Sequence, residues 1–370
     1  MADYSASPAH SGRIAVAMSG GLDSAMALVL LREAGHQVLG VTMRLWPPHD
    51  ARADTDSADM DSARQVCAML GVEHVVLDLR DHFYAEVVVP FVSEYASART
   101  PNPCTRCNEA IKFGALLDSV RALGCDTLST GHYVRSAFGG TRYRLLRGID
   151  PGKDQSYFLY TLSQQQLAHL LFPLGGFHKD QVRAMAAQRG LAVTDRPESQ
   201  DVCFLRGEPY SALLARSAPD ALRPGPILNR EGAVLGTHQG LPLYTVGQRS
   251  GLGIAADRPL YVLELDGQRN ALVVGYGEDL DRRALLADCV HYVAGSAPAK
   301  GDRLQAQIRY RARPVDASLE PLGDRQARVS FSRPVRGIAP GQAVVLYDGE
   351  EVIGGGRIAR VEPADEAQEQ

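Results

Sequence analysis

The stretch RIAVAMSGGLDSAMALVLLREAG, residues 13 to 35, decides the fold of this chain. Its first part, RIAVAM (13–18), is an apolar run typical of a buried strand, and SAMALVLLREAG (24–35) has the length of a helix and ends at a glycine. Two glycines, an aspartate and two serines connect the two parts. A strand that passes through a glycine-rich turn into a helix is typical of a parallel α/β sheet with an anion site at the turn.

The alternation of strands and helices continues to about residue 133. It predicts strands at 36–43, 73–79 and 125–133, helices at 61–71 and 109–124, and a polar loop at 47–58. This order favours an α/β fold with an N-terminal parallel sheet covered on both faces. Ligands of such sheets bind beyond the carboxyl ends of the strands, where the glycine-rich turn lies.

The pattern changes after residue 212, where proline and glycine become frequent. Two turn pairs, Asp266-Gly267 and Asp348-Gly349, each stand between alternating apolar segments and predict β-hairpins. We therefore expect a C-terminal antiparallel β-barrel, preceded by a small central domain whose fold the pattern does not assign. The expected division is a disordered tail (1–12), a catalytic domain (13–212), the central domain (213–280), the barrel (281–362) and a second disordered tail (363–370).

Composition indicates a protein of the cytoplasm. The 370 residues are 45% hydrophobic and 22% charged, which is ordinary for a globular protein. No apolar stretch reaches the roughly 20 residues of a membrane helix, and the polar start of the chain does not have the apolar core of a signal peptide. We expect no membrane association.

Charge is unevenly distributed along the chain. The net charge is −4, but residues 300 to 336 contain nine Lys or Arg against four Asp or Glu. A local basic surface can bind phosphates even on an acidic protein. On charge alone, a solvated sheet face is the simpler interpretation.

The cysteines suggest chemistry at one place. Cys104 and Cys107 form a CxxC pair, a pattern used in redox, metal and sulfur chemistry. Pro101 and Pro103 before it favour an extended chain, so we expect Cys107 just before a helix, where the helix dipole and Arg106 would lower its pKa. A zinc or iron–sulfur half-site is the alternative, although no second pair follows. Three other cysteines fit as buried packing residues: Cys67, Cys125 and Cys289.

The glycine-rich turn itself points to a phosphate ligand. Glycines allow the backbone to approach an anion, and the free amides of the first helical turn point towards it. Ser19 and Ser24 add hydroxyl donors, whereas Asp23 would repel phosphate and suits either Mg²⁺ binding or orientation of the loop. No lysine follows the glycines, so this is not the usual P-loop, and a site of amides and hydroxyls suits a released pyrophosphate.

The hexapeptide SGGLDS resembles the PP-loop signature of ATP pyrophosphatases, which amidating, sulfur-inserting and lysine-attaching enzymes share. With TPNPCTRCN, IKFG, TGHY, GKDQSYFL and ESQDVCFL following in this order, and IRYR and PGQAVVLYDGE near the end, residues 13 to 362 resemble the bacterial tRNA 2-thiouridylase family. The resemblance implies an N-terminal domain of the adenine nucleotide alpha hydrolase-like kind.

The resemblance also implies an activity, that of a tRNA-uridine 2-sulfurtransferase. ATP, with Mg²⁺, adenylates O2 of the wobble uridine of tRNA, and a protein persulfide then delivers sulfur to C2, which gives 2-thiouridine, AMP and pyrophosphate. The implied partners are tRNAs for Lys, Glu and Gln and a protein that donates persulfide sulfur. The implied ATP site consists of Ala17, Met18, Ser19, Gly20, Gly21, Leu22, Asp23, Ser24, Met43 and Gly131.

The same resemblance assigns the thiols and the tRNA contacts. Cys203 would carry the persulfide, and Cys107 would be the nucleophile that resolves it through a transient Cys107–Cys203 disulfide. The implied contacts to tRNA and the target base are Asn102, Pro103, Cys104, His132, Lys153, Asp154, Gln155, Arg309, Tyr310 and Gln342. The target uridine is expected to flip out, because C2 is inaccessible in a stacked base.

One position departs from the family pattern. Many members have Asp where this chain has Cys104, and that Asp is commonly given an acid–base role, for which a thiol is a poor substitute at pH 7. The step is then dispensable, or another group performs it, or Cys104 has a different task. One such task is a [4Fe–4S] cluster held by Cys104, Cys107 and Cys203.

Two other interpretations compete with this one. The first is another PP-loop ATP-dependent ligase or a different, iron–sulfur-dependent tRNA sulfurtransferase; a ligase that amidates a carboxylate needs ammonia and no paired thiols. The second is a metal-binding, RNA-associated protein without catalysis, in which the glycine-rich turn is only structural.

Overall fold

A computed structural model describes residues 12–45, 55–191, 202–205, 207–299 and 301–362, with the side chains of 55–57 left aside. The two expected tails lie outside the described residues, except for Gly12. So do most of the polar loop expected at 47–58 and the first part of the ESQDVCFL motif. At the other end of that loop, the helix expected from residue 61 already begins at Thr55.

The N-terminal part is built on a five-stranded parallel sheet, as expected. In spatial order its strands are His74–Asp78, Val38–Arg44, Arg13–Ala17, Cys125–Ser129 and Leu170–Leu171. The strand Arg13–Ala17 is central and is fully buried at Ile14, Ala15 and Val16, as an apolar strand covered on both faces should be. Helices of this part are Leu22–Glu33, Thr55–Met69, Arg80–Phe83, Val89–Ala96, Pro103–Arg106, Leu116–Ala122, Gln164–Leu167, Lys179–Gln188 and Tyr210–Ser217.

Two pairs of these helices are each joined into one continuous helix by a π-helical segment. Tyr84–Val88 joins the helices on either side of it, and Cys107–Ala115 does the same between Pro103–Arg106 and Leu116–Ala122. The continuous helix from Pro103 to Ala122 therefore starts six residues before the start expected at 109. The Asn102 side chain caps it by accepting a 3.3 Å hydrogen bond from the backbone N–H of Thr105.

The segment after residue 212 forms a small four-stranded sheet. Its strands, in spatial order, are Tyr261–Asp266, Ala271–Gly275, Gly225–Leu228 and Val234–His238. The first two are antiparallel and confirm the hairpin predicted from Asp266-Gly267. This sheet has its own apolar core, centred on Ile227, Val262 and Leu272. The expected domain boundaries stay predictions.

The C-terminal part is an antiparallel barrel of six strands, as expected. These are Asp281–Tyr292, Leu304–Gln307, Val315–Gly323, Gln326–Arg336, Ala343–Asp348 and Glu351–Val361. Asp281–Tyr292 pairs on one side with Gln326–Arg336 and on the other with Glu351–Val361, which closes the barrel. The last two strands confirm the hairpin predicted from Asp348-Gly349.

A hairpin of the N-terminal part attaches to the barrel, which the sequence pattern does not indicate. Its strands are Val134–Phe138 and Tyr143–Arg147, and Leu146 pairs with Glu351 at the edge of the barrel. The buried carboxylate of Glu351 lies 2.5 Å from Arg142 Nη1 and 2.7 Å from Arg144 Nε. These bonds connect the N-terminal part to the barrel.

The packing cysteines are only partly as expected. Cys67 and Cys125 are fully buried, which confirms them as core residues. Cys289 is exposed and has a positive φ of 51°, so its predicted burial is wrong. The error arises because it interrupts the pairing of a long barrel strand, between Asp288 and His291, where the register shifts. In the described part of the chain, no helix is long and apolar enough to cross a membrane.

Candidate active site

A large cleft of about 3040 Å³ opens where the parallel sheet, its connecting loops and the barrel meet. The glycine-rich turn lies on one wall of this cleft, beyond the carboxyl end of the strand Arg13–Ala17. Arg309, Tyr310 and Gln342 reach it from the barrel side. The cleft is large enough for a nucleotide together with a second ligand, and its location fits the general rule for ligands of open α/β sheets.

The turn is held in shape by its own hydroxyl groups. Ser24 Oγ donates to the Gly21 carbonyl at 2.9 Å and accepts from the backbone N–H of Ser19 at 3.1 Å. From the next helix, Ser62 donates to the Gly20 carbonyl at 2.9 Å. Gly20 has φ +73°, and a Cβ there would clash with the Asp59 carbonyl, so the turn requires glycine at this position.

The 12-residue helix that follows, Leu22–Glu33, begins without a side-chain cap. Its first backbone N–H groups therefore remain available to an anion, as the sequence predicts. Gly131 packs directly against this turn: a Cβ on it would lie 2.9 Å from the Asp23 carbonyl carbon and 3.0 Å from the Ser24 nitrogen. The absence of a side chain at Gly131 thus keeps the turn and the neighbouring strand end together.

Asp23 is bound by two side chains that the sequence analysis did not identify. Lys179 Nζ lies 2.8 Å from one carboxylate oxygen and 2.7 Å from the other, and the Tyr133 hydroxyl donates to Asp23 at 2.8 Å. Lys179 is buried, with 6% of its surface exposed, although it lines the cleft. Of the two roles left open for Asp23, these contacts favour orientation of the loop.

Three cysteines lie at or near this cleft. Cys104 and Cys203 are exposed and line the cleft, whereas Cys107 is buried and does not. Burial raises the pKa of both Cys104 and Cys107, and the negative charge of a Cys203 thiolate raises both further, so the three sulfur atoms lie near one another despite their separation in sequence. None of the six cysteines forms a disulfide in the structure.

The prediction of a lowered pKa at Cys107 is wrong. Burial raises the pKa of this thiol to about 12, and only the nearby Lys112 acts in the opposite direction. Cys107 lies one turn inside the helix that begins at Pro103 rather than before it. Arg106 does not lower the pKa of Cys107, because its guanidinium pairs with Glu86 and, at 3.1 Å, with Glu109.

His132 lines the cleft as a neutral ring. Burial, and secondarily the charge of Lys112, lower its pKa well below the usual range. Its Nδ1 shares a 2.7 Å hydrogen bond with the Thr130 hydroxyl, which fixes the ring. A neutral imidazole can exchange hydrogen bonds with a base but cannot act as a cation towards phosphate at pH 7.

Several residues predicted to contact tRNA have structural partners. The Arg309 guanidinium donates to the carbonyls of Val246, at 3.0 Å, and Gly337, and so connects the small sheet to the barrel. Gln342 donates to the carbonyls of Thr100 and Pro101, at 3.1 and 3.0 Å, and so fixes the segment before Cys104.

The 153–155 loop is anchored in a similar way. Asp154 accepts hydrogen bonds from the backbone N–H groups of Gly148 and Ser156, and Gln155 accepts one from Tyr133. Tyr310 packs its ring against Phe158, 4.5 Å between centroids.

Most of the predicted site residues meet in this one cleft. Its lining includes all of 17–24 and, beyond them, Met43, Cys104, Gly131, His132, Lys153, Asp154, Gln155, Cys203, Arg309, Tyr310 and Gln342. Three predicted residues do not line it, namely Asn102, Pro103 and Cys107. The sequence analysis missed Lys179, Tyr133, Ser62 and Lys112; of these, Tyr133 and Lys112 stand inside the quoted TGHY and IKFG motifs, which was the available signal.

The described residues do not provide a metal centre. Among them, no group of three or more His, Cys, Asp or Glu side chains is arranged to hold a metal ion. As the structure places them, Cys104, Cys107 and Cys203 do not form such a group, and the [4Fe–4S] cluster stays an alternative prediction. The cleft lining includes the carboxylates of Asp23, Asp59 and Asp154, but these do not form such a group, so an ion such as Mg²⁺ would have to arrive with a phosphate ligand of its own.

Comparison with known proteins identifies domain families along the chain. Residues 12–207 match the "tRNA methyl transferase HUP domain", residues 211–276 the "tRNA methyl transferase PRC-barrel domain", and residues 282–358 the "Aminomethyltransferase beta-barrel domain". The three matches follow one another in the order of the three sheets described above.

Curated relatives match over nearly the full length. The protein called tRNA-specific 2-thiouridylase MnmA of Roseiflexus castenholzii is 51% identical over 368 residues, covering 94% of this chain and 99% of its own. The protein of the same name from Moorella thermoacetica is 48% identical over 354 residues, covering 94% and 99%. A solved structure, the U34-tRNA thiolase NcsA of Methanococcus maripaludis with its [4Fe-4S] cluster, is 18% identical with a TM-score of 0.36 and covers 57% of this chain and 67% of its own, which is too distant to support an argument. The relatives at about half identity establish that the chain belongs to the tRNA-specific 2-thiouridylase family.

Proposed function

We propose that this protein is an ATP-dependent tRNA sulfurtransferase that converts the wobble uridine, U34, to 2-thiouridine, with release of AMP and pyrophosphate. The observation that supports this most strongly is that the glycine-rich turn and the exposed thiols of Cys104 and Cys203 line the same cleft. An enzyme that only amidates a carboxylate has no use for thiols there, so the cleft favours sulfur transfer over the alternative ligase.

The nucleotide half of the cleft would activate the uridine. An oxide at C2 is a very poor leaving group, and AMP is a much better one, so attack by O2 on the α-phosphate of ATP prepares C2 for substitution. The free amides at the start of the helix Leu22–Glu33, with Ser19 and Ser24, suit the pyrophosphate that leaves. Met43 and Gly131 line the same wall and would contact the nucleoside part. A Mg²⁺ ion brought by ATP would neutralise phosphate charge, while Asp23, held by Lys179 and Tyr133, would orient the loop.

The thiol half of the cleft would supply the sulfur. Cys203 is exposed towards the cleft, as a residue must be to receive a persulfide sulfur from a donor protein and to present it to C2. The persulfide sulfur replaces AMP, and a second thiol then frees the product by forming a disulfide with Cys203. The family assigns this second role to Cys107.

The barrel side of the cleft would bind tRNA, with acceptors for Lys, Glu and Gln expected from the family. Arg311 and Arg313 are exposed and line the cleft beside Arg309 and Tyr310. These arginines of the basic segment 300–336 would bind phosphate groups of tRNA. Phosphate contacts of this kind supply affinity that falls as salt rises. The neutral His132 and the segment at Asn102 and Pro103 stay proposed contacts of the flipped base. We expect the reaction to take place in the cytoplasm, where these tRNAs are used.

Direct assay tests the proposal. The protein is incubated with ATP, Mg²⁺, a persulfide donor and tRNA, and the digested tRNA is searched for 2-thiouridine while pyrophosphate is measured in parallel. The Cys203→Ser variant should lose sulfur transfer and keep ATP binding. Pyrophosphate release that does not depend on tRNA, or tRNA binding without any pyrophosphate release, would instead favour the ligase or the non-catalytic protein respectively.

A further inference from the structure

Tyr133 contacts both of the regions that would bind the two substrates. Its hydroxyl donates a 2.8 Å hydrogen bond to the carboxylate of Asp23 in the glycine-rich turn. Its backbone N–H donates to the side-chain oxygen of Gln155 at 3.0 Å, and its carbonyl accepts from the Gln155 N–H at 3.1 Å. Gln155 belongs to the 153–155 loop, which the family resemblance assigns to tRNA. One buried residue, 3% exposed, therefore connects the turn predicted to bind ATP to the loop predicted to bind tRNA.

The backbone of Tyr133 is packed tightly against the start of that loop. A Cβ on Gly148 would lie 2.6 Å from the Tyr133 carbonyl oxygen, so the two backbones approach more closely than a side chain at 148 would allow. Asp154 then fixes Gly148 to the loop, because its carboxylate accepts from the Gly148 N–H at 3.0 Å. In an interior packed this closely, a shift of the loop must also shift the Tyr133 backbone. The Tyr133 hydroxyl transmits such a shift to Asp23.

A second connection runs from the loop to the same carboxylate. The carbonyl of Asp150 accepts from the backbone N–H groups of Lys153, at 3.0 Å, and Asp154, at 2.9 Å. The Asp150 carboxylate accepts from the backbone N–H of Lys179 at 2.9 Å, and the Lys179 ammonium binds Asp23 at 2.7 and 2.8 Å. Both connections end on Asp23, so the position of this carboxylate in the turn depends on the position of the loop.

We propose that Tyr133 is a positioning residue that couples the 153–155 loop to the glycine-rich turn, so that tRNA and ATP strengthen each other's binding. This rests on the proposed function and adds how ATP cleavage would be restricted to enzyme that holds tRNA. ATP is split before the sulfur is transferred, so a turn that is set by bound tRNA cleaves little ATP when no uridine is present. Such coupling is reciprocal: tRNA must raise the affinity for ATP by the same factor by which ATP raises the affinity for tRNA.

Equilibrium binding to the unmodified protein measures the coupling. The probes are a tRNA transcript for Lys and an ATP analogue whose α and β phosphates are joined by a methylene bridge, which prevents cleavage. The dissociation constant of each probe is measured with and without saturating amounts of the other, at one fixed salt concentration. We expect the two ratios to be equal and at least about fivefold. Ratios of one would overturn the inference while 2-thiouridine formation still supported the proposed function; absence of 2-thiouridine from the unmodified protein would defeat the proposed function itself.

The Tyr133→Phe variant tests the residue. It removes the hydroxyl and keeps the ring and both backbone bonds to Gln155. We expect the coupling ratio to fall at least about threefold. The KM for ATP at limiting tRNA should rise by the same factor, more than kcat falls when both substrates are saturating.

Tyr276→Phe is the matched control, because its hydroxyl also lies near a carboxylate, 3.4 Å from Asp257, and neither residue lines the cleft. This control should keep the ratio of the unmodified protein. An unchanged ratio in Tyr133→Phe, whatever its kcat, would overturn the inference and assign the coupling to direct contact between the two ligands. Thermal unfolding shows whether each variant is folded, and if Tyr133→Phe is not, the two ratios of the unmodified protein still decide whether the turn and the loop are coupled.

Discussion

The ammonium group of Lys179 lies within 2.8 Å of both carboxylate oxygens of Asp23, in the middle of the glycine-rich turn. Lys179 comes from a helix 156 residues further along the chain and is almost fully buried, whereas the Asp23 side chain is about one-third exposed to the cleft. The turn has no lysine of its own, so this residue is the cation that stands closest to its aspartate. A buried ammonium so close to a phosphate site can hold Asp23 in place and also favour the charge of pyrophosphate.

We therefore expect Lys179→Met to lower tRNA-dependent pyrophosphate release at least about tenfold, which corresponds to about 1.4 kcal/mol of transition-state stabilisation. The measurement is pyrophosphate release at saturating ATP, with thermal unfolding followed alongside to detect loss of structure. Asp180→Asn is the matched control, because Asp180 adjoins Lys179 on the same helix and is almost fully exposed. A folded Lys179→Met variant with unchanged pyrophosphate release would show that the pair is only structural.

The accessibility of the thiols predicts an order of alkylation. At pH 8, a thiol with a pKa of about 12 is thiolate in only about one molecule in ten thousand, so Cys107 should react with iodoacetamide at least about a thousandfold more slowly than a free cysteine. Cys104 should react earlier, and its rate should rise with pH towards its own raised pKa. Peptide mass spectrometry at timed intervals measures the order. Alkylation of Cys107 before Cys104 would contradict the structure at this helix; in denaturant, all cysteines should react alike.

Much of this fold follows from local patterns. The strand, turn and helix at 13–35 are encoded in adjacent residues, because an apolar run, two glycines and a helical segment each have one stable local structure. The hairpins at Asp266-Gly267 and Asp348-Gly349 follow from turn chemistry in the same way. The hairpin at 134–147 was missed because what it joins, the edge of the barrel, lies two hundred residues further along the chain.

In the site, too, features formed by adjacent residues could be predicted from the sequence, and features formed by residues distant in sequence could not. The glycine-rich turn could be found because its residues are contiguous and its chemistry is local. The role of Lys179 could not, because nothing near it in sequence shows that Asp23 is its partner. The pKa of Cys107 was predicted with the wrong sign because the pattern gave the nearby positive charge but not the burial, and burial is the larger effect.

Arg309 and Arg313 should behave differently although they stand four residues apart. Arg309 donates to two backbone carbonyls, so Arg309→Ala should lower the melting temperature and weaken tRNA binding through loss of structure, while ATP binding remains. Arg313 is exposed at the cleft, so Arg313→Ala should weaken tRNA binding, reduce the salt dependence by about one phosphate contact, and leave the melting temperature unchanged. Filter binding at several salt concentrations, with thermal unfolding, measures both. Equal tRNA affinity in Arg313→Ala would remove this residue from the tRNA surface.

The contact between the 134–147 hairpin and the barrel should depend on one carboxylate. Glu351 is buried and binds Arg142 and Arg144, and its replacement by Gln leaves both guanidinium groups without their anion at a site that keeps its shape. Because each arginine is more than one-third exposed and water can partly replace the carboxylate, we expect a loss of about 1–2 kcal/mol in the free energy of unfolding rather than the larger cost of a fully buried pair. Glu350→Gln is the control: Glu350 is mostly exposed and pairs with Arg135 at 3.0 Å, so its loss should cost less than about 0.5 kcal/mol. Denaturant unfolding measures both, and a smaller loss in Glu351→Gln than in Glu350→Gln would mean that apolar packing, and not this ion pair, holds the hairpin to the barrel.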